Sequence, residues 1–382
     1  MTKVTVIVPI YNVEEYVAQC FDSLLRQTFE DFVVFAVNDG SPKNEQAIID
    51  EYAARYPHRI IPIRKQNGGY GSVLQLAIAQ AQSEYFLVCD PDDTLSPDAL
   101  ATLVSLAEEQ QADLVIGAKT LVYSDGSPSQ YDPAYNRRFV TLTPGKCVER
   151  GSAQFEDLLF VDPSPHAKLY RRSLASAIRF PQKIGYTDNL LFYISLLNAQ
   201  RVVYTDAACA FYLIDRAGNT MTDLKPKVID AHAEVFMAVL DQAQSCREVP
   251  ALFYYRIYEA FKFSFYQLRR IQGSSQQKQQ HGWVLYELVK KLMPYRAQIL
   301  AGQKKYLIQE TAWTFRLAQL DLMDGKEKDA EGRLRFAAQY GNTMAVRAWA
   351  EELLSRQNQP APCVQEYKQE KTGEMNDGND TE

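Results

Sequence analysis

The 382-residue chain has no stretch approaching the roughly 18 uninterrupted apolar residues of a membrane-spanning helix. Its start, Met1-Thr2-Lys3 running into Val4–Ile10, is too short and too β-branched for a secretory signal. A cytoplasmic protein is expected, soluble or peripheral on the inner membrane face. Paired cysteine motifs are missing as well. The six cysteines (Cys20, Cys89, Cys147, Cys209, Cys246 and Cys363) are scattered, with several in apolar runs, which suits reduced structural thiols rather than disulfides. There is no excess of positive charge: the formal net charge is −6, so nothing draws the whole chain to nucleic acid, and no such partner is expected. Two glycine fingerprints are lacking. Pro9-Ile10-Tyr11-Asn12 follows the first apolar run where a dinucleotide-binding fold would place G-x-G-x-x-G, and no G-x-x-x-x-G-K-[ST] occurs. A nucleotidyltransferase, which also sets metal-binding acids on an α/β sheet, would carry a glycine- and Lys/Arg-rich loop at that point, and none is there.

What is present is an alternation. With 46% hydrophobic residues the chain can fill two cores. From Val4 to about Tyr123, short apolar runs alternate with amphipathic segments, the signature of a mostly parallel sheet covered by helices. Strands are expected at Val4–Ile10, Phe32–Val37, Arg59–Ile63, Tyr85–Cys89 and Asp113–Ala118. The first helix carries Val13, Tyr16, Val17, Cys20, Phe21, Leu24 and Leu25 at helical spacing. Asn12 with Glu15 reads as a capping box, and Ser41-Pro42 and Ser96-Pro97 as cap residues before a first-turn proline. Residues 124–165 lack periodicity and read as a long loop. A second structured block follows, with His166–Ser173, a helical run Leu190–Leu197 and a strand at Arg201–Thr205. Beyond about Lys225 the pattern is helical. The expected division is a catalytic domain over 1–224, a helical domain over 225–355 and a disordered polar tail over 356–382.

Residues 225–320 hold fourteen Lys/Arg against seven Asp/Glu, and Phe253–Tyr266 is crowded with aromatics. Such a segment can dock on an anionic membrane or a partner protein. Aromatic stripes are more often core, so the favoured reading is an ordinary helical core with a basic exterior.

In a parallel sheet the loops leaving the strands' C-terminal ends share one rim, where ligands bind. That rim would gather Tyr11-Asn12, Asn38-Asp39-Gly40-Ser41, Gln66-Asn67-Gly68-Gly69 and Asp90-Pro91-Asp92-Asp93. Tyr11 can lie against a base, and Asp39 can accept a hydrogen bond from a base N–H or a ribose hydroxyl. The glycines can offer N–H donors to phosphate oxygens. Three carboxylates within four residues repel one another unless solvated, protonated or bridged by a cation. Mn²⁺ or Mg²⁺ would relieve that repulsion and stabilise a departing diphosphate. Taken singly, each loop is also an ordinary turn or cap.

In order, Val6-Ile-Val-Pro-Ile-Tyr-Asn12, Val37-Asn-Asp-Gly-Ser41, Asn67-Gly-Gly69 and Cys89-Asp-Pro-Asp-Asp93 resemble the opening motifs of bacterial family 2 glycosyltransferases. His166-Ala-Lys-Leu-Tyr-Arg-Arg-Ser173, Tyr186-Thr-Asp-Asn-Leu-Leu-Phe192 and Phe211-Tyr-Leu-Ile-Asp-Arg216 extend the resemblance to about residue 222. It implies a GT-A fold, a Rossmann-like mixed and mostly parallel sheet flanked by helices, here with a C-terminal α-helical subdomain. By that similarity Asp188 is the catalytic base of an inverting transfer from a nucleotide-sugar, UDP-sugar favoured. Pro9, Tyr11, Asn12, Glu14, Asp39, Asn67, Gly68, Asp90, Lys168 and Arg216 would bind the donor. Asp92 would hold the metal, with Asp93 and His166 as further candidate ligands. The implied acceptor is a glycan, a lipid-linked intermediate or a glycoprotein. Three positions depart from the family: Thr187 stands where a glutamate precedes the base, Val73-Leu74-Gln75 replaces Ala-Arg-Asn, and His166 replaces a tryptophan.

Overall fold

The computed structural model describes residues 2–137, 139–215, 226–270, 284–285, 287–305 and 334–335. Ten strands form one sheet: β1 (Val4–Ile10), β2 (Phe32–Asn38), β3 (Ile60–Arg64), β4 (Tyr85–Val88), β5 (Thr94–Leu95), β6 (Leu114–Val122), β7 (Gln130–Asp132), β8 (Cys147–Glu149), β9 (Lys168–Arg171) and β10 (Arg201–Leu213). Their order is β3-β2-β1-β4-β9-β6-β10-β5, with β7 paired to β6 and β8 to β10. β3, β2, β1 and β4 run parallel, as do β6 and β10, while β9 lies antiparallel between β4 and β6. The sheet is therefore mixed, and the C-terminal ends of the parallel strands β1 to β4 share one rim with the N-terminal end of β9.

β1 is buried along its whole length, which is why it reads as a continuous apolar run rather than an alternation. Val4, Val6, Val8 and Ile10 enter one core with α1 (Glu14–Leu25), α2 (Glu45–Arg55) and α4 (Ala99–Glu109). α3 (Tyr70–Gln80) packs on β1 and β2 and against α5 (Thr187–Asn198). The helix starts differ from the expected ones. Asn12 takes a left-handed φ of 53° and makes no capping box; Val13 is the N-cap residue, and its N–H donates to Glu45 Oε1 of α2 at 2.8 Å. Ser41 and Ser96 are not caps, because α2 and α4 begin only at Glu45 and Ala99. Ser41 instead closes the turn, its N–H held by Asn38 Oδ1 at 2.8 Å, and the Ser96 N–H donates to the Cys209 carbonyl of β10. The 124–165 segment is not one long loop: β7 and β8 extend the sheet, and a 3₁₀ turn spans Ala153–Phe160. β10 runs eight residues further than the strand expected to end at Thr205, with register shifts between Thr205 and Ala210 that mark a bulge.

The chain divides into two compact units, Met1–Leu224 with Glu234–Arg256, and Lys225–Ala233 with Ile257–Glu382. In the first, Phe236 and Phe253 pack against the ring of Tyr193 on α5. In the second, the described residues are mainly helical, including parts of α6 (Pro226–Ala243) and α7 (Ala251–Arg270) and all of α8 (Arg296–Lys305). Phe253, Tyr255, Tyr258 and Phe261 of the aromatic stretch are buried, so these rings are core rather than surface. Among the described residues no helix is long and apolar enough to cross a membrane. The expected polar tail and Arg216 lie outside the described residues. Cys20, Cys89, Cys147, Cys209 and Cys246 are free thiols.

One backbone position is tightly constrained. Gly69 has φ 83° and ψ 168°, and a Cβ there would lie 2.9 Å from Lys183 Cα. Gly69→Ala is expected to destabilise the protein by about 2 kcal/mol or more, read as a lower denaturant midpoint at unchanged slope.

Candidate active site

The rim loops converge as the parallel register requires. Ile10, Asn38 and Arg64 end β1, β2 and β3 side by side. The Asp39 N–H donates to the Ile10 carbonyl at 2.9 Å and the Lys65 N–H to the Asn38 carbonyl at 3.0 Å. Asp39 is buried and its carboxylate is well supplied: Gly68 N donates to Oδ1 at 3.0 Å, Gly69 N to Oδ2 at 2.8 Å, and the Lys65 ammonium pairs with Oδ1. This corrects one expectation. The Gly68 and Gly69 amides do not point at a phosphate site; they are spent on Asp39. Lys65 also donates to Ser72 Oγ at 2.8 Å, so ammonium, carboxylate and turn form one knot. Tyr11 is half-exposed on the neighbouring loop, with Pro9 buried in β1, Asn12 exposed and Glu14 opening α1. Asn67 sits in the turn itself, where its backbone N closes over Gly40, whose φ is 69°.

The acidic turn sits at the end of β4. Because β9 runs antiparallel to β4, with Leu87 opposite Leu169, the start of β9 brings His166 against it. His166 Nε2 lies 2.7 Å from Asp93 Oδ2, both residues buried. Burial, reinforced by Lys119 and Lys168, pushes the His166 pKa down to about 3. The ring is therefore neutral, and the 2.7 Å contact assigns its proton to Nε2. That leaves Nδ1 with a bare lone pair, and among the described residues it has no hydrogen-bond partner. Asp93 is itself fixed, since Oδ1 accepts the Leu213 N–H of β10 at 2.9 Å, and Tyr212 packs on the imidazole with ring centroids 4.3 Å apart.

Asp90, Asp93 and His166 each offer a ligand atom within 4.8 Å of the others. Two carboxylate oxygens and an imidazole nitrogen suit a hard divalent cation of the Mn²⁺ or Mg²⁺ kind. Burial, then the Asp92 and Asp93 carboxylates, push the Asp90 pKa well above its ordinary range, a repulsion that a cation would relieve. Asp92 is half-buried in the same turn but is not one of the three convergent groups.

Asp188 opens the first turn of α5 after Tyr186, which has a left-handed φ of 62°. Its carboxyl is raised to about 6, by burial first and then by Asp162, against the pull of its own and Asn189's backbone N–H groups and of Lys168. Tyr70, the first residue of α3, is hydrogen-bonded to one of these carboxylates and feels the charge of the other. Its hydroxyl donates to Asp90 Oδ1 at 2.8 Å, and burial followed by the Asp90 and Asp188 charges keeps it protonated far above the ordinary tyrosine range.

Lys168 is fully buried, donating to the Ser164 carbonyl at 2.5 Å, with its ammonium over the Phe192 ring. Burial brings it down to about 7. Lys119, also buried, pairs with Asp162 and donates to Ser164 Oγ at 3.1 Å. Lys65, Tyr70, Lys119, Asp162 and Tyr212 were not legible as site residues. Only Tyr70 carried a signal, its place directly after the glycine turn.

A profile of glycosyl transferase family 2 matches residues 5–179. The chain is 31% identical over 225 residues to an uncharacterised glycosyltransferase, the MG025 homolog of Mycoplasma pneumoniae, covering 57% of this chain and 70% of that protein. The chain belongs to glycosyl transferase family 2. It is also 33% identical over 130 residues to the minor teichoic acid biosynthesis protein GgaB of Bacillus subtilis, covering 34% of this chain and 14% of that protein. Several of the curated relatives are thus much longer, this chain spanning a third or less of their length. Among solved structures, Staphylococcus aureus TarS 1–349 in complex with UDP-GlcNAc superposes with a TM-score of 0.62 at 20% identity, covering 92% of each chain. At that identity the likeness establishes the GT-A fold.

The Asp39 knot makes its own prediction. Lys65→Met leaves the buried carboxylate with two amides and no counter-charge, and is expected to cost about 3 kcal/mol, measured by denaturant unfolding against Asp50→Asn, a surface control.

Proposed function

We propose that this family 2 protein is an inverting glycosyltransferase moving a sugar from a nucleotide-diphosphate donor to an acceptor hydroxyl. The observation that carries the reading is the meeting, at one rim, of a three-donor cation site with a carboxylate whose pKa is lifted to about 6. A base poised near neutrality can take a hydroxyl proton at physiological pH and still ionise readily. A bound Mn²⁺ or Mg²⁺ would supply Lewis-acid stabilisation of the departing diphosphate. Asp90, Asp93 and His166 would hold it, with Asp92 in the same turn. Asp188 accepts the acceptor's proton as that oxygen bonds to the anomeric carbon, on the face opposite the carbon–oxygen bond to the diphosphate that breaks. Tyr11 lies against the base, and Asp39 shapes the turn beside it, with its remaining lone pair directed to base or ribose.

The finer reading favours a UDP-sugar and a hexosyl or N-acetylhexosaminyl group. Its support is the GgaB likeness, a teichoic acid biosynthesis protein by name, and a fold neighbour solved with UDP-GlcNAc. A glycan, lipid-linked or glycoprotein acceptor in surface-polymer assembly fits that class. We take residues 1–224 as the catalytic domain and the helical residues from 225 as the part that meets acceptor, membrane or partner, with a cytoplasmic setting.

With Mn²⁺ present, one member of a nucleotide-sugar panel should raise the thermal midpoint of the purified chain or be slowly hydrolysed. Indifference to every donor and to free UDP, GDP and CDP would remove the donor assignment. Because the base must be ionised, turnover should rise about tenfold per pH unit below about 6 and level off above it. Asp188→Asn should keep donor binding, lose at least about a hundredfold in rate and abolish that limb; wild-type turnover by this variant would show that Asp188 is not the base.

A further inference from the structure

We infer that Tyr70 is a positioning residue for the cation end of the site, its hydroxyl fixing the Asp90 carboxylate beside Asp93 and His166. The inference rests on the metal reading above. Asp90 is the least anchored of the three. Its backbone is held, with the carbonyl accepting the Asp93 N–H at 3.0 Å and facing the thiols of Cys20 and Cys89 at 3.8 and 3.7 Å. Its carboxylate is not held in that way. Among the described residues the Tyr70 hydroxyl, at 2.8 Å from Oδ1, is the one side-chain donor it meets. Asp92 and Asp93 stand in the same turn, so without Tyr70 no side-chain donor among the described residues would keep this carboxylate in the 4.8 Å cluster. Asp93 and His166, by contrast, hold each other and are packed by Leu213 and Tyr212.

The position of Tyr70 does not depend on the carboxylate it holds. The turn that precedes it is held by hydrogen bonds of its own. Gly69 N–H goes to Asp39 Oδ2, the Gly68 carbonyl takes the Lys183 N–H at 2.7 Å, and the Gly69 carbonyl takes Ser72 Oγ at 2.6 Å. Asp39 thereby acts on Asp90 through the turn and the tyrosine. Groups that orient metal ligands are typically worth about 10–100-fold in metal affinity.

The test uses Mn²⁺ itself as the probe, titrated into the full chain with and without UDP and followed by the paramagnetic signal of free Mn²⁺. Tyr70→Phe keeps the ring and removes the hydroxyl; Tyr70→Leu removes both. Both variants are expected to bind Mn²⁺ at least about tenfold more weakly, with a raised donor KM, a kcat much less affected and, for Tyr70→Phe, a thermal midpoint near wild type. Wild-type Mn²⁺ affinity in Tyr70→Phe overturns the inference, including the case where only Tyr70→Leu is impaired, since that outcome assigns the effect to ring packing. A wild-type chain that takes up no Mn²⁺ in either condition overturns the metal reading and the inference together.

Discussion

The buried Asp39 carboxylate is the interaction on which the rim depends. It directly follows β2 yet binds the turn after β3, through two glycine amides and an ammonium, so the end of β2 and the start of α3 are tied to one side chain. A buried charge is tolerated only when its lone pairs are met, and here meeting them fixes the loops in space. From the fixed turn Tyr70 reaches Asp90, and from Asp90 the acidic turn runs to Asp93, His166 and the end of β10. Binding elements that are far apart in sequence are thus joined by a short chain of charge-assisted hydrogen bonds.

The same rim concentrates opposed electrostatic demands. Burial, then repulsion from Asp92 and Asp93, raises Asp90; burial also raises Asp188 and lowers His166 and Lys168. The partly exposed Asp162 carboxylate is the counterweight. Burial would raise it, but Lys119 and Lys168 hold it well below the usual carboxylate range. Acids lifted by burial thus share the rim with buried ammonium groups that pull carboxylates down.

The parallel half of the sheet was legible because each of its strands is an apolar run of the right length followed by a turn-forming cluster, and parallel strands must deliver those turns to one edge. Tyr11, Asp39, Asn67, Asp90 and Asp188 could be named as candidates from the residues and the family resemblance together. The helix starts were misread because Asn12, Ser41 and Ser96 have the chemistry of caps but are committed elsewhere: a left-handed turn, the Asn38 carboxamide and the β10 backbone. The segment from 124 to 165 hid two strands because three-residue strands bury too little to leave a period.

Sequence alone determined the alternation of strand and helix, the four rim loops and the acidic turn, since these are local patterns of hydrophobicity and turn chemistry. Tertiary structure decided where the acids' partners come from. An antiparallel β9 inserted beside β4 carries His166 to Asp93 across 73 positions, and a bulged β10 brings Leu213 to the same carboxylate across 120. It also spent the glycine amides on Asp39, so that the first role suggested by their spacing gave way to another. Such pairings follow from strand order and register, which no local window of residues encodes.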